Sequence, residues 1–261
     1  MGLSTIRKYH STMRMSMKSL TNGGILYLLP GYLLKVLYLL PLLALWRILI
    51  QGGADSDGMS LHQFLTYTYM STLLAPLLSI RTPLSDWLYD GLALTMFQRP
   101  MGLFGTVIAM TIGSSLPFFL LFSLPMAVLS PLFGVSLAPA GWWFLPSLLL
   151  CVSLGFAIDF IFACILIRMM NARYLVYCIR NALTWLLSGV FLPFAALPWG
   201  LGRLFELQPL GSLGGAVLGV YTGLSDPLPT LLLQVVWNLI LWPIAIVYFR
   251  RSHERLVSHG G

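Results

Sequence analysis

Apolar residues run along this chain in blocks of about twenty, broken by short polar stretches. A helix rises 1.5 Å per residue, so about 20 residues are needed to cross the ~30 Å hydrocarbon layer of a bilayer. Six blocks meet that length, covering roughly residues 31–51, 61–80, 101–122, 144–167, 177–198 and 228–248. Ahead of them, Leu3 to Leu20 follows a helical rather than a continuous apolar pattern. Arg7, Ser11, Arg14 and Lys18 fall on one face, with Lys8 beside them, and Leu3, Ile6, Met13, Met17 and Leu20 on the other. This pattern predicts an interfacial helix within residues 1–22, its cations toward lipid phosphate. A disordered basic tail is the alternative.

One further apolar stretch, residues 200–226, is interrupted by Arg203, Glu206, Gln208, Pro209 and several glycines. It reads as a re-entrant hairpin dipping into the outer leaflet, because irregular backbone at membrane depth survives only when packed in protein or lining a wet cavity. Gly215, Gly219 and Gly223 recur every fourth residue, a spacing that lets another helix approach closely.

Charge fixes the orientation. With six crossings, thirteen of the fifteen Lys and Arg residues fall on one side, and only Arg47 and Arg203 on the other. Loops rich in Lys and Arg stay cytoplasmic, so both termini are expected inside the cell. Lys35, near the cytoplasmic start of the first block, is placed to snorkel to the interface. The loop around Asp55 and Asp57 carries no cation, and Trp142 and Trp143 are placed as interfacial anchors.

Composition agrees: 58% of the residues are hydrophobic and 9% charged, against roughly 25% charged in soluble domains. The net charge of +7 comes as short runs beside apolar blocks, which points to anionic lipid headgroups and away from nucleic acid. The three cysteines, Cys151, Cys164 and Cys178, lie in or beside the blocks without metal-ligand spacing and read as packing residues. The four histidines are scattered, which argues against a metal site. No G-x-x-x-x-G-K-[ST] stretch is present, so this sequence offers no phosphate loop for ATP hydrolysis.

The polar insertion between the second and third blocks is the most informative loop. Thr82 can cap a helix and Pro83 suits its first position, while Ser85, Asp86 and Asp90 bring acceptors and negative charge to the helix start. Leu84, Trp87, Leu88, Leu92 and Met96 recur at helical spacing, and Pro100 marks the stop. These residues predict an amphipathic cytoplasmic helix over about 83–98, either a surface connector or a docking element for a cytoplasmic motor.

This loop, running from Arg81 through Asp90-Gly91 to Arg99-Pro100, resembles the first cytoplasmic loop of small type-2 ATP-binding-cassette (ABC) permeases. Ser188-Gly189, Leu192-Pro193, Leu197-Pro198, Trp46, Trp237, Arg250 and Arg251 extend the resemblance over nearly the whole chain, each motif being loose on its own. The loop is poorer in charge than is usual for that family. The resemblance implies an all-α membrane protein of six transmembrane helices forming one domain, residues 1–261. Its parts are the interfacial helix, a cytoplasmic coupling loop at 82–100 and the outer-leaflet re-entrant hairpin.

It also implies the permease subunit of an exporter in the cell (inner) membrane, moving a hydrophobic or amphipathic substrate such as a drug, lipid or peptide. The partners implied are two copies of a cytoplasmic ATP-binding subunit, which hold ATP and Mg, and a second permease chain, the same or homologous. On this reading the chain itself is no enzyme and binds no cofactor directly, and Arg81, Ser85, Asp86, Trp87, Asp90, Gly91, Arg99 and Pro100 carry the coupling to the ATPase. A polytopic scaffold or a lipid-modifying enzyme remains the alternative, although the eight acidic residues are dispersed rather than clustered as lipid chemistry would need. Asp159 is the single acid inside a block. Its cost in hydrocarbon makes it either a residue of the substrate or water path or a buried, hydrogen-bonded structural acid.

Overall fold

A computed structural model describes residues 3–53, 59–89, 102–169, 173–197 and 199–259, and every regular element among them is helical. In chain order these are α1 (Leu3–Thr21), α2 (Leu29–Gln51), α3 (Leu61–Leu73), α4 (Ala75–Leu78) and α5 (Leu84–Tyr89). There follow α6 (Leu103–Phe118), a π-helical turn (Phe119–Ser123), α7 (Leu124–Leu129) and a 3-10 turn (Ser130–Phe133). The chain is completed by α8 (Phe144–Arg168), α9 (Arg173–Leu187), α10 (Leu201–Leu207), α11 (Gly214–Thr222) and α12 (Pro227–His259). Among the described residues four runs are long and apolar enough to cross a membrane: Leu29–Gln51, Leu103–Phe133, Phe144–Leu166 and Pro227–Arg251. The protein is therefore a helical membrane protein.

Proline and glycine account for where these elements depart from the apolar blocks. The third block reaches Phe133 rather than residue 122, because the helix absorbs Pro117, Pro125 and Pro131 through the π-helical turn and the first positions of α7 and the 3-10 turn. Proline removes a donor and crowds the preceding turn, and a local change of helical pitch accommodates both. The second block splits at Leu74, with Pro76 in the first turn of α4. Its start is capped at Ser60, whose hydroxyl accepts from the Gln63 amide while Gln63 Oε1 accepts from the Ser60 amide at 2.9 Å.

The fifth block, expected to continue to residue 198, stops as a helix at Leu187, where Gly189 takes φ +71°. Its line is resumed by α11: the Gly215 amide donates to the Ser188 carbonyl at 2.6 Å. The expected hairpin is thus an excursion, holding α10, spliced between two helices. Gly215 and Gly219 do not receive a neighbouring helix as expected; a Cβ at Gly215 would overlap the Phe194 ring, and one at Gly219 the Ser225 side chain. A bare backbone is needed there to admit the Phe194 ring of the excursion and the turn at Ser225 that follows α11.

Side-chain contacts give the relative directions of the long helices. Tyr32 lies 5.8 Å from Phe118 and 5.7 Å from Phe122, while Arg47 donates to the Phe133 carbonyl at 2.8 Å. Both partners advance together, so α2 and the 103–133 run point the same way. Likewise Gln234 donates to Ser147 O (3.2 Å), Asn238 to Leu150 O (3.1 Å) and Trp242 to Ser153 Oγ (2.9 Å), which makes α8 and α12 run in one direction. Helix α3 runs against the 103–133 run: Ser123 donates to Leu73 O at 2.8 Å, whereas Tyr69 reaches the Met126 carbonyl.

Two apolar clusters hold the bundle. The larger joins α2, α3, the 103–133 run, α8 and α11, with Trp46 and Phe64 in ring contact at 4.6 Å. The smaller joins Leu84 and Trp87 of α5 to Leu103, Phe160 and Phe249. Helix α1 is present as expected, with Arg7, Lys8, Arg14 and Lys18 exposed. It is docked lengthwise on α6: Tyr9 lies against Gly105, the Met13 backbone against Gly113, and Ser16 donates to the Met110 carbonyl at 2.8 Å. Its packing face is therefore Tyr9, Met13 and Ser16, while Ile6 and Leu20 stay exposed.

Candidate functional site

Helix α5 hangs from the segment Ile80–Arg81–Thr82, and each of these residues is tied to a different group. The Thr82 amide donates to Asp159 Oδ2 at 3.1 Å, and the Thr82 hydroxyl donates to the same oxygen. Arg180 Nη2 lies 2.6 Å from Asp159 Oδ1 and donates to the Ile80 carbonyl at 2.5 Å. Arg81 donates to the Tyr177 hydroxyl and to Asn181 Oδ1, each at 2.7 Å, with its guanidinium 4.6 Å from the Tyr177 ring. Asp159 comes from α8, and Tyr177, Arg180 and Asn181 from α9. A carboxylate and two guanidiniums thus lock the root of α5 to two long helices.

Asp159 is completely buried and the Arg180 side chain is 12% exposed. A charge so placed persists only when paired and hydrogen-bonded. Here the carboxylate takes a guanidinium on one oxygen and two Thr82 donors on the other. Thr82 Oγ1 in turn accepts from the Leu84 amide at 3.3 Å, turning the chain into α5. The capping role expected of Thr82 is therefore one part of a larger knot.

Of the coupling residues inferred from sequence, Arg81 is in this knot. Asp86 is exposed and Ser85 half-buried on α5, whereas Trp87 is buried at 7% exposure in the smaller apolar cluster. Trp87 therefore anchors α5 to the bundle and does not present a docking surface. Asp90, Gly91, Arg99 and Pro100 lie outside the described residues. Arg203 and Glu206 sit on α10, away from the knot. Burial raises the Glu206 carboxyl above its usual range, and the Arg203 charge opposes that rise.

A cavity of about 450 Å³ opens between α2, α3, α4, α6 and α9. Asp159, the candidate pathway residue, does not line it. Lys35 does: its ammonium lies 5.1 Å from the centre of the Phe118 ring, facing the cavity where snorkelling to the interface was expected. Hydroxyls of Ser71, Thr72, Ser114, Ser115, Thr184 and Ser188 line the same space.

Pattern reasoning missed two other groups. Gln234, with no exposed surface, donates to Ser147 O and, at 2.9 Å, to Ser212 O, pinning α8, α12 and the root of α11 together. Arg180 was legible only as a flanking cation; nothing local shows that it faces Asp159. Among the described residues no group of acids, histidines and cysteines has the makings of a metal site. Comparison with family models, curated proteins and solved structures returns no match.

Proposed function

We propose that this chain is the permease subunit of a type-2 ABC exporter, crossing the membrane six times with both termini in the cytoplasm. The single observation that carries this reading is the knot at Ile80–Thr82. It couples a short helix at one end of the bundle rigidly to α8 and α9, as a lever moved by a cytoplasmic motor requires. The direction of the helices supports six crossings. Since α2 and the 103–133 run are co-directional, the chain must return between them, and α3 with α4 is the segment available. Since α8 and α12 are co-directional, α9 continued by α11 supplies the second return.

In this reading two copies of a separate ATP-binding subunit hold ATP and Mg and press on α5. The buried Asp159–Arg180 pair passes that displacement to α8 and α9, because breaking it in mid-stroke would strand charge away from water. A second permease chain, the same or homologous, meets the exposed apolar faces of α2 and α9, where Leu33, Leu37, Leu175 and Leu186 are uncovered. A hydrophobic or amphipathic substrate passes between them.

The test is co-purification with a candidate ATP-binding subunit expressed together with this chain, followed by ATPase assay in proteoliposomes. Trp87→Ala is unsuitable, since emptying an apolar core of Trp costs about 3–5 kcal/mol and damages the fold. Asp86→Lys reverses the charge of an exposed residue on α5 instead. We expect the variant to stay folded and to lose ATPase association. Undiminished association and hydrolysis would remove α5 from the contact, and a terminus labelled from outside the cell would end the six-crossing topology.

A further inference from the structure

Lys35 is the one charged side chain among the described residues lining the 450 Å³ cavity. No carboxylate among the described residues pairs with it, the buried acid Asp159 being held by Arg180. An ammonium in a membrane-spanning helix is costly and marks a functional position by default. The Lys35 ammonium lies over the face of Phe118, a cation–π interaction that satisfies none of its hydrogen-bond donors. Four of the surrounding hydroxyls are already committed as donors. Ser114 and Ser115 both give their protons to Thr111 O at 2.9 Å, and Ser71 and Thr72 give theirs to Thr68 O. Lys35 therefore sets the electrostatic preference of the cavity.

The rest of the space is apolar and open to the side. Leu39, Leu42 and Phe118 form its wall, and Trp185 and Phe191, stacked at 6.0 Å, form one lip of a mouth between α9 and α2. Tyr38 forms the other lip; it is 68% exposed and Trp185 60%. A mouth of this kind admits a molecule from the lipid phase in the single chain and from the passage between the two chains in the proposed pair, and the volume falls in the usual range for small-molecule sites, roughly 300–1,000 Å³.

We infer that this cavity binds an anionic amphiphile, its phosphate or carboxylate head on Lys35 and its hydrocarbon between Leu39, Leu42, Phe118 and the aromatic mouth. A cationic head would be repelled by Lys35, and an uncharged one would leave the ammonium unpaired. The assignment gives a substrate class to the permease reading and rests on it only for the word substrate, since binding requires no ATPase. The anion has two sources, a membrane lipid headgroup or a smaller amphiphile taken up for export.

The test uses the full chain in phosphatidylcholine nanodiscs, with dodecyl phosphate, dodecylphosphocholine and dodecyltrimethylammonium as probes and binding followed by calorimetry. The wild-type chain should prefer dodecyl phosphate by roughly tenfold or more, the worth of one charge-assisted contact. Lys35→Gln should abolish the preference and Lys35→Arg should keep it. Equal affinity for the three probes in the wild-type chain, a result that needs no variant to fold, overturns the inference. So does a preference that survives in Lys35→Gln. Phosphatidylglycerol in the nanodisc separates the sources: competition with dodecyl phosphate identifies a lipid headgroup, and its absence identifies the smaller amphiphile. Anion preference without ATPase association would sink the permease reading alone, and the reverse result would sink only this one.

Discussion

Replacing Asp159 by Leu removes the carboxylate from a site with no exposed surface and leaves the Arg180 guanidinium, 12% exposed, without its counter-charge. Losing one partner of a buried pair costs about 3–5 kcal/mol, because the remaining charge keeps its desolvation penalty. Arg180→Leu should cost a similar amount, leaving Asp159 with only its two Thr82 donors. Removing both charges, in Asp159→Leu with Arg180→Met, eliminates the stranded ion. The Thr82 amide and the Ile80 carbonyl then lose partners, at about 1–3 kcal/mol for each unsatisfied group. The double variant should therefore cost about 2–6 kcal/mol, short of the roughly 6–10 kcal/mol that two independent losses would add up to.

Thermal unfolding of the detergent-solubilised chain reads this out. At roughly 2–4 °C per kcal/mol for a chain of this size, each single variant should melt roughly 10 °C below the wild-type protein, and the double variant should fall by less than the sum of the two shifts. A double-mutant cycle then gives the coupling energy directly. If the single variants melt with the wild-type chain, or the two single losses simply add in the double variant, the buried pair does not hold the root of α5. In proteoliposomes with the ATPase, the double variant should transport less per ATP hydrolysed, because the root of the lever keeps only the Arg81 bonds to α9.

Two further outcomes follow from separate parts of the structure. Gly113→Val places a side chain where the Met13 carbonyl now lies, so α1 should leave α6 and become accessible to protease; an unchanged digestion pattern would contradict the docking of α1. The Glu206 carboxyl is raised by burial, so the folded form holds its proton more tightly than the unfolded one. The stability this contributes is complete below the ordinary glutamate range and declines as pH rises through the raised value. Glu206→Gln should flatten that part of the melting-temperature profile, and a slope of the opposite sign in the wild-type chain would overturn the assignment.

The lengths of the apolar blocks, the amphipathic pattern of α1 and the bias of Lys and Arg to alternate flanks are local properties, and each could be read directly from neighbouring residues. They determined a helical membrane protein. Only the tertiary structure decided how those helices face one another. A soluble amphipathic helix declares its buried face, but a membrane helix is apolar all round, so its rotation is set by close packing and polar pairing rather than by hydrophobic patterning. For that reason the alignment of Arg180 with Asp159, the turn of Lys35 into the cavity and the burial of Trp87 were not legible in advance. The same holds for the resumption of α9 by α11, where a carbonyl at Ser188 meets an amide at Gly215. That hydrogen bond closes a gap in sequence which no local pattern spans.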